Sequence, residues 1–181
     1  GVHQRKVAHG GNEVDSLTYF FANSSTMVGT EISYHQGNQS VKIGYNHILA
    51  GGRFLFPREW GREGIFTFQK RERSEGSADN HALLATYELR QQVKELKIRG
   101  ILSVGHQWKA DVTNAPDNKY ALPSYRHINL DWFFEHTKLK SLKPELLLTY
   151  KQGIGDFPDN PNFILNKVDL FQVNCIFNYN F

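Results

Sequence analysis

Cysteine is almost absent: Cys175 is the one cysteine in 181 residues, which excludes an internal disulfide framework and any cysteine-rich metal site. On the local alternation it belongs to an apolar face, where cysteine acts as a small hydrophobe. Long apolar runs are missing too. "ELLLTY" is typical of the longest clusters, well short of the roughly 18 to 20 consecutive apolar residues of a transmembrane helix, so a helical membrane protein is excluded. Nor does one sign of charge prevail, since 21 Lys and Arg stand against 18 Asp and Glu for a net of +3. The basic residues are mixed with acidic ones rather than gathered in a run, and no nucleic-acid partner is expected. The chain has no G-x-S-x-G, no H-E-x-x-H and no phosphate-binding glycine loop, so no enzyme activity, catalytic residue or cofactor is expected. Carboxylates close in sequence have basic neighbours, which favours ion pairs over raised-pKa acids. Eight histidines are present, but His81, His106, His127 and His136 fall on different predicted strands without a recognised ligand spacing, and no metal site is expected. Gly1 carries no methionine, basic n-region or apolar h-region, so the expectation is a removed signal peptide or a missing upstream part.

What is there is alternation. The length suits a single domain, residues 1–181, and 40% hydrophobic with 22% charged residues is compatible with a folded chain. The closing "VNCIFNYNF" sets Val173, Cys175, Phe177 and Tyr179 against Asn174, Asn178 and Asn180, the period of a β-strand. A greasy aromatic strand of this kind invites aggregation unless it is paired on both sides, which a closed barrel provides. Reading backwards, "LKPELLLTYKQ" sets Leu146, Leu148 and Tyr150 against Glu145, Thr149 and Lys151. "SYRHINLDWFFEHT" sets Ile128, Leu130, Trp132 and Phe134 against His127, Asn129, Asp131 and Glu135. "ELKIRGILSVGHQW" gives Leu96, Ile98, Leu102, Val104 and Trp108 opposite Lys97, Arg99, Ser103 and Gln107, while "NHALLATYELR" is noisier. "TMVGTEISYH" and "SVKIGYNHI" pair Val28, Ile32 and Tyr34 with Val41, Ile43 and Tyr45, and "GVHQRKVA" is a possible further strand. About seven or eight strands are therefore expected.

Short and long connections alternate. "QGNQ", the "QQVK" region and "KLKSL" read as tight links, whereas the run from 49 to 78, "KADVTNAPDNKYALP" and "GIGDFPDNPNFILN" are elaborate loops. An up-and-down antiparallel meander gives this pattern when one rim of a barrel carries turns and the other carries loops, as in transmembrane β-barrels. The expected fold is therefore all-β, a transmembrane antiparallel up-and-down barrel facing outer-membrane lipid. Tyr179 and Phe181 near one rim, with Trp108 and Tyr150 nearer the other, fit interface girdles. Glu31, Lys42, Glu88, Arg90, Lys97, Arg99, Asp131, Glu135, Glu145 and Lys151 fall on the opposite face and imply a wet lumen. A soluble ligand-binding barrel has the reverse polarity, with an apolar interior.

One loop stands apart. "RFLFPREWGREGIFTFQKRERSEG" packs Arg53, Arg58, Arg62, Lys70, Arg71 and Arg73 among Glu59, Glu63, Glu72 and Glu75, with Phe54, Phe56, Trp60, Phe66 and Phe68 interleaved. A solvated loop has little use for so many rings, whereas a loop folded into a barrel mouth packs them on the wall and holds guanidinium groups in the pathway.

"PREWGRE", a short aromatic run ending "TF", and "RERSEG" resemble the signature stretch of OprD-type outer-membrane porins of the Bacteroidetes lineage. "LPSYRHINLD" and the terminal "NKVDLFQVNCIFNYNF" resemble that family's closing strands, and the similarity spreads from about Asn12 onward. Lys70, Ser74 and Gly64 depart from the pattern, with Lys70 and Gly64 replacing common prolines and Ser74 a common asparagine. The resemblance implies a bacterial outer-membrane location and a monomeric channel of about 16 to 18 strands, of which this chain supplies the C-terminal half. It further implies insertion by the barrel-assembly machinery through the C-terminal aromatic Phe181, and passive diffusion of small, often anionic or zwitterionic solutes. By motif position Arg58, Arg62, Arg71 and Arg73, with Arg53 beside them, are candidates for the solute pathway, and Glu59, Glu63 and Glu72 hold them by charge-assisted hydrogen bonds. Arg90 and Arg99 extend the candidate pathway onto the strands. The alternative is a small, complete eight-stranded outer-membrane barrel with a structural, adhesive or lipid-hydrolysing role.

Overall fold

The structure is a computed structural model, and it describes residues 2–5, 24–54, 65–72, 76–159 and 168–180. Among these residues there is no helix. The strands are β1 (Val2–Arg5), β2 (Ser24–Gln36), β3 (Gln39–Ile48), β4 (Asn80–Val93), β5 (Leu96–Trp108), β6 (Ser124–His136), β7 (Leu142–Ile154) and β8 (Leu170–Tyr179). They form one antiparallel sheet in the order β1-β2-β3-β4-β5-β6-β7-β8, each strand paired with its sequence neighbours. This is the expected up-and-down meander, with seven long strands and the short β1 supplied by "GVHQRKVA". No pairing joins β1 to β8 among the described residues, so the sheet is open.

The short links are tighter than the sequence suggests. β2 and β3 pair up to Gln36 and Gln39, and Gly37 takes the left-handed φ of 57° that the turn requires. β4 runs on through Val93, three residues past the end of "NHALLATYELR", and Lys94, at φ 54°, makes the turn at the last residue of "QQVK".

The polarity of the sheet is inverted relative to a soluble sandwich. One face carries Ile32, Ile43, Val104, Phe171, Val173 and Phe177, all exposed, with Ile32 at 75% and Phe177 at 71%. Cys175 lies on the same face and is exposed. The other face carries Asn46, Asn80, Gln107, His127, Asn129, Asp131, Thr149 and Lys151, all buried. Charged and amide groups are almost never buried without partners; here the β3–β4 loop supplies partners to Asn46, Asn129, Asp131 and Lys151, while Asn80 donates to Gln107 Oε1 at 3.1 Å. An apolar cluster lies at the loop's base, where Phe54 and Ile65 pack on Met27 of β2 and Ile48 of β3, with Phe68 against them.

Candidate functional site: a pathway along the polar face

Residues 65–72 cross the polar face from β3 to β8, making contacts with successive strands. At β3 the backbone of Phe66 lies so close to Gly44 that a Cβ there would meet the Phe66 carbonyl oxygen at 2.7 Å, and the amide of Thr67 donates to Asn46 Oδ1 at 3.1 Å. Gln69 then reaches β5 and β6. Its side chain fills the space beside Gly105 and donates from Nε2 to the carbonyl of His127 at 3.3 Å. Asn129 of β6 donates to the Lys70 carbonyl at 3.0 Å, and the Lys70 ammonium sits between Asp131 Oδ2 at 2.6 Å and Glu145 Oε1 at 2.5 Å. Arg71 ends the crossing, donating from Nη2 to Asn174 Oδ1 of β8 at 2.9 Å. Its φ of 68° is a left-handed conformation that costs a non-glycine residue of order 1 to 3 kcal/mol, and it turns the chain back toward β6 and β7.

Glu72 is the buried end of this crossing. The Lys151 ammonium lies 2.9 Å from its Oε2, and His127 Nδ1 lies at 3.5 Å. Burial alone pushes the carboxyl pKa upward, but Lys151, the His127 hydrogen bond, Lys109 and Tyr125 together hold it well below the usual carboxylate range. Lys151 in turn lies over the Tyr125 ring, 4.3 Å from its centroid. A buried pair of this kind gives little net stability but is costly to break, so it fixes where the loop sits rather than how stable the sheet is.

Of the ten residues singled out in the sequence, Arg71, Glu72, Arg90 and Arg99 lie on the polar face, whereas Arg58, Glu59, Arg62, Glu63 and Arg73 lie outside the described residues. Among the described residues, Glu72 is held by a lysine and a histidine on the wall. Arg53 is buried at the loop rim, 8% exposed, where burial lowers its pKa and Tyr120 and Asp117 act against that. The surrounding backbone is stitched together by Phe54 N to Ser77 O at 2.9 Å and Ala78 N to Asp117 O at 2.7 Å, so Arg53 lies in the loop's neck.

Nearer the short-turn rim the same face holds a recess of about 730 Å³. Arg90, Lys97, Arg99 and Lys143 line it together with Glu135 and Glu145, so cations outnumber anions. Glu88 of β4 gathers the two arginines, accepting from Arg99 Nε and Nη2 at 2.9 and 2.8 Å and from Arg90 Nε at 2.5 Å. The Phe133 ring stands between Arg99 and Lys70, at 5.4 and 4.8 Å from its centroid, which continues a cationic track from the loop to the recess. Lys70 and Phe133 were not legible as site residues, because each gains its role from partners far away in sequence. The aromatic expectation holds in part: Phe54 and Phe68 pack on the wall, Phe66 stays 49% exposed, and Phe56 and Trp60 lie outside the described residues.

No family model, curated protein or solved structure matches the chain.

Proposed function

We propose that the chain is part of the wall, and supplies an inward loop, of a bacterial outer-membrane porin of the OprD type found in the Bacteroidetes lineage. Further strands close its barrel, and small anionic or zwitterionic solutes diffuse through it passively without chemical conversion. The observation that carries this reading is the inverted polarity of the sheet, apolar and exposed outside, charged inside and crossed by residues 65–72. Lipid satisfies the first face and channel water the second. The outer membrane is therefore its location, lipid its outward partner, and the barrel-assembly machinery its insertion partner through Phe181, a residue outside the described ones.

On this reading the cations that line the recess face a passing carboxylate solute. Two unit charges about 5 Å apart at an effective dielectric near 20 interact by roughly 3 kcal/mol before salt screening. A third of that changes ion occupancy several-fold. Arg90→Gln with Arg99→Gln in the full-length protein should therefore move the reversal potential in a salt gradient toward cation preference in planar bilayers, with the barrel still heat-modifiable on a gel. Unchanged selectivity in an open channel would remove these arginines from the pathway. Absence of any channel would favour the small structural or adhesive barrel instead.

A further inference from the structure

The outward face of β3 and β4 carries an unusual pair where the inward loop leaves and rejoins the wall. His47 and His81 are direct cross-strand partners, their rings stacked at 3.8 Å between centroids and 16° between planes. Asp79 precedes His81 by two residues at the strand's entry. Among the described residues, these three gather one ligand atom each within 4.8 Å of one another. Tyr45, next along the same face of β3, places its hydroxyl 2.6 Å from His81 Nδ1.

We propose that His47, His81 and Asp79 bind a borderline first-row divalent cation of the Zn²⁺ type, and that the bound ion clamps the neck of the inward loop. The donor set is right for the metal: two imidazoles and a carboxylate leave one open position for water on a tetrahedral ion. The spacing is close to right as well. Zn–N and Zn–O distances of about 2.0–2.2 Å put two ligand atoms roughly 3–4 Å apart, so a small rotation of side chains closes the group. Tyr45 supplies the outer support such ligands usually have: with Nδ1–H of His81 engaged by the phenol oxygen, the lone pair on Nε2 is presented to the ion. An interface girdle accounts for Tyr45 and for Trp108 opposite His81, but does not call for two imidazoles and a carboxylate gathered within 4.8 Å. The scatter of histidines over separate strands concealed the site, since only the β3–β4 register brings His47 and His81 together. The consequence is mechanical. All of the inward loop lies between the two imidazoles, so an ion bridging them ties its entrance to its exit. The binding site stands whether or not the chain is a porin.

The test uses the full chain purified in detergent micelles, with Zn²⁺ titrated by calorimetry and Co²⁺ followed by its visible absorption. One Zn²⁺ per chain should bind and bleach the Co²⁺ band. His47→Gln and His81→Gln should each weaken binding by more than about a hundredfold, and Tyr45→Phe, which removes only the outer support, by about ten- to a hundredfold. Zn²⁺ should also slow protease cleavage within the loop of the wild type and not of His47→Gln. Heat-modifiable mobility on a gel confirms that each variant is folded, and Tyr45→Phe leaves the three ligands in place should a histidine variant fail that check. Absence of the Co²⁺ band, or equal Zn²⁺ affinity in the wild type and the His47→Gln/His81→Gln double variant, overturns the proposal.

Discussion

Glu72 shows how one side chain can position a loop. Burial works against its charge, and the Lys151 ammonium, His127, Lys109 and Tyr125 overcome burial, leaving its folded pKa depressed. A depressed folded pKa means that the stabilisation is complete above the ordinary glutamate value of 4.5 and is lost only as pH falls toward the folded value. Residues 65–72 should therefore keep their protection from hydrogen exchange, after correction for intrinsic rates, from pH 7 down to about 5, and loosen only in stronger acid. Lys151→Met leaves the carboxylate buried without its closest cation, which costs about 3 to 5 kcal/mol in loop seating. That variant should loosen at neutral pH, and adding Glu72→Gln should restore much of the protection. If Lys151→Met protects the loop as well as the wild type does, the pair does not hold it.

At the scale of elements, the strands were legible and the loop's course was not. Outward positions such as Ile128, Leu130, Trp132 and Phe134 repeat at period two because successive strand side chains point to opposite faces, and "SYRHINLDWFFEHT" forms β6 with its end one residue earlier than expected. Where the alternation was noisy the structure gives a reason. Leu84 of "NHALLATYELR", like Met27 and Ile48, lies on the polar face yet is buried, and Met27 and Ile48 are where Phe54 and Ile65 pack. Apolar residues out of phase thus mark the seat of the loop. The partners of Lys70 and Glu72 had no such signal, since ion pairing with Asp131, Glu145 or Lys151 depends on strand register and carries no local period. Gly44 tests the seat directly. Gly44→Val pushes a side chain into the backbone at Phe66, an overpacking worth typically 1–3 kcal/mol. Limited proteolysis should then cut within residues 65–72 faster than in the wild type, while Ile43→Val, on the outward face, should leave the rate unchanged. Equal cutting in Gly44→Val and the wild type would mean that the close approach at β3 does not hold the loop.

The whole sheet has two faces of opposite character, apolar and exposed on one side, polar and largely buried on the other, and the proposed function assigns each a different solvent. Lysine at a mid-strand outward position, as in Val104→Lys, should reduce folding into lipid vesicles by about 2–4 kcal/mol, read as the heat-modifiable fraction on a gel. Ser103→Lys, one residue away on the polar face, should fold almost as well as the parent. Equal penalties at the two positions would contradict a lipid-facing sheet. A separate consequence follows from the register at the loop's base. β3 and β4 pair without interruption up to Ile48 and Asn80, so everything between those residues is, topologically, an insert in one hairpin. Loop closure depends only weakly on length, at about 0.6 kcal/mol per doubling. The insert is thus a cassette anchored at a few points: its length can drift while the strands on either side keep their partners, so long as Lys70 and Glu72 keep theirs on the wall.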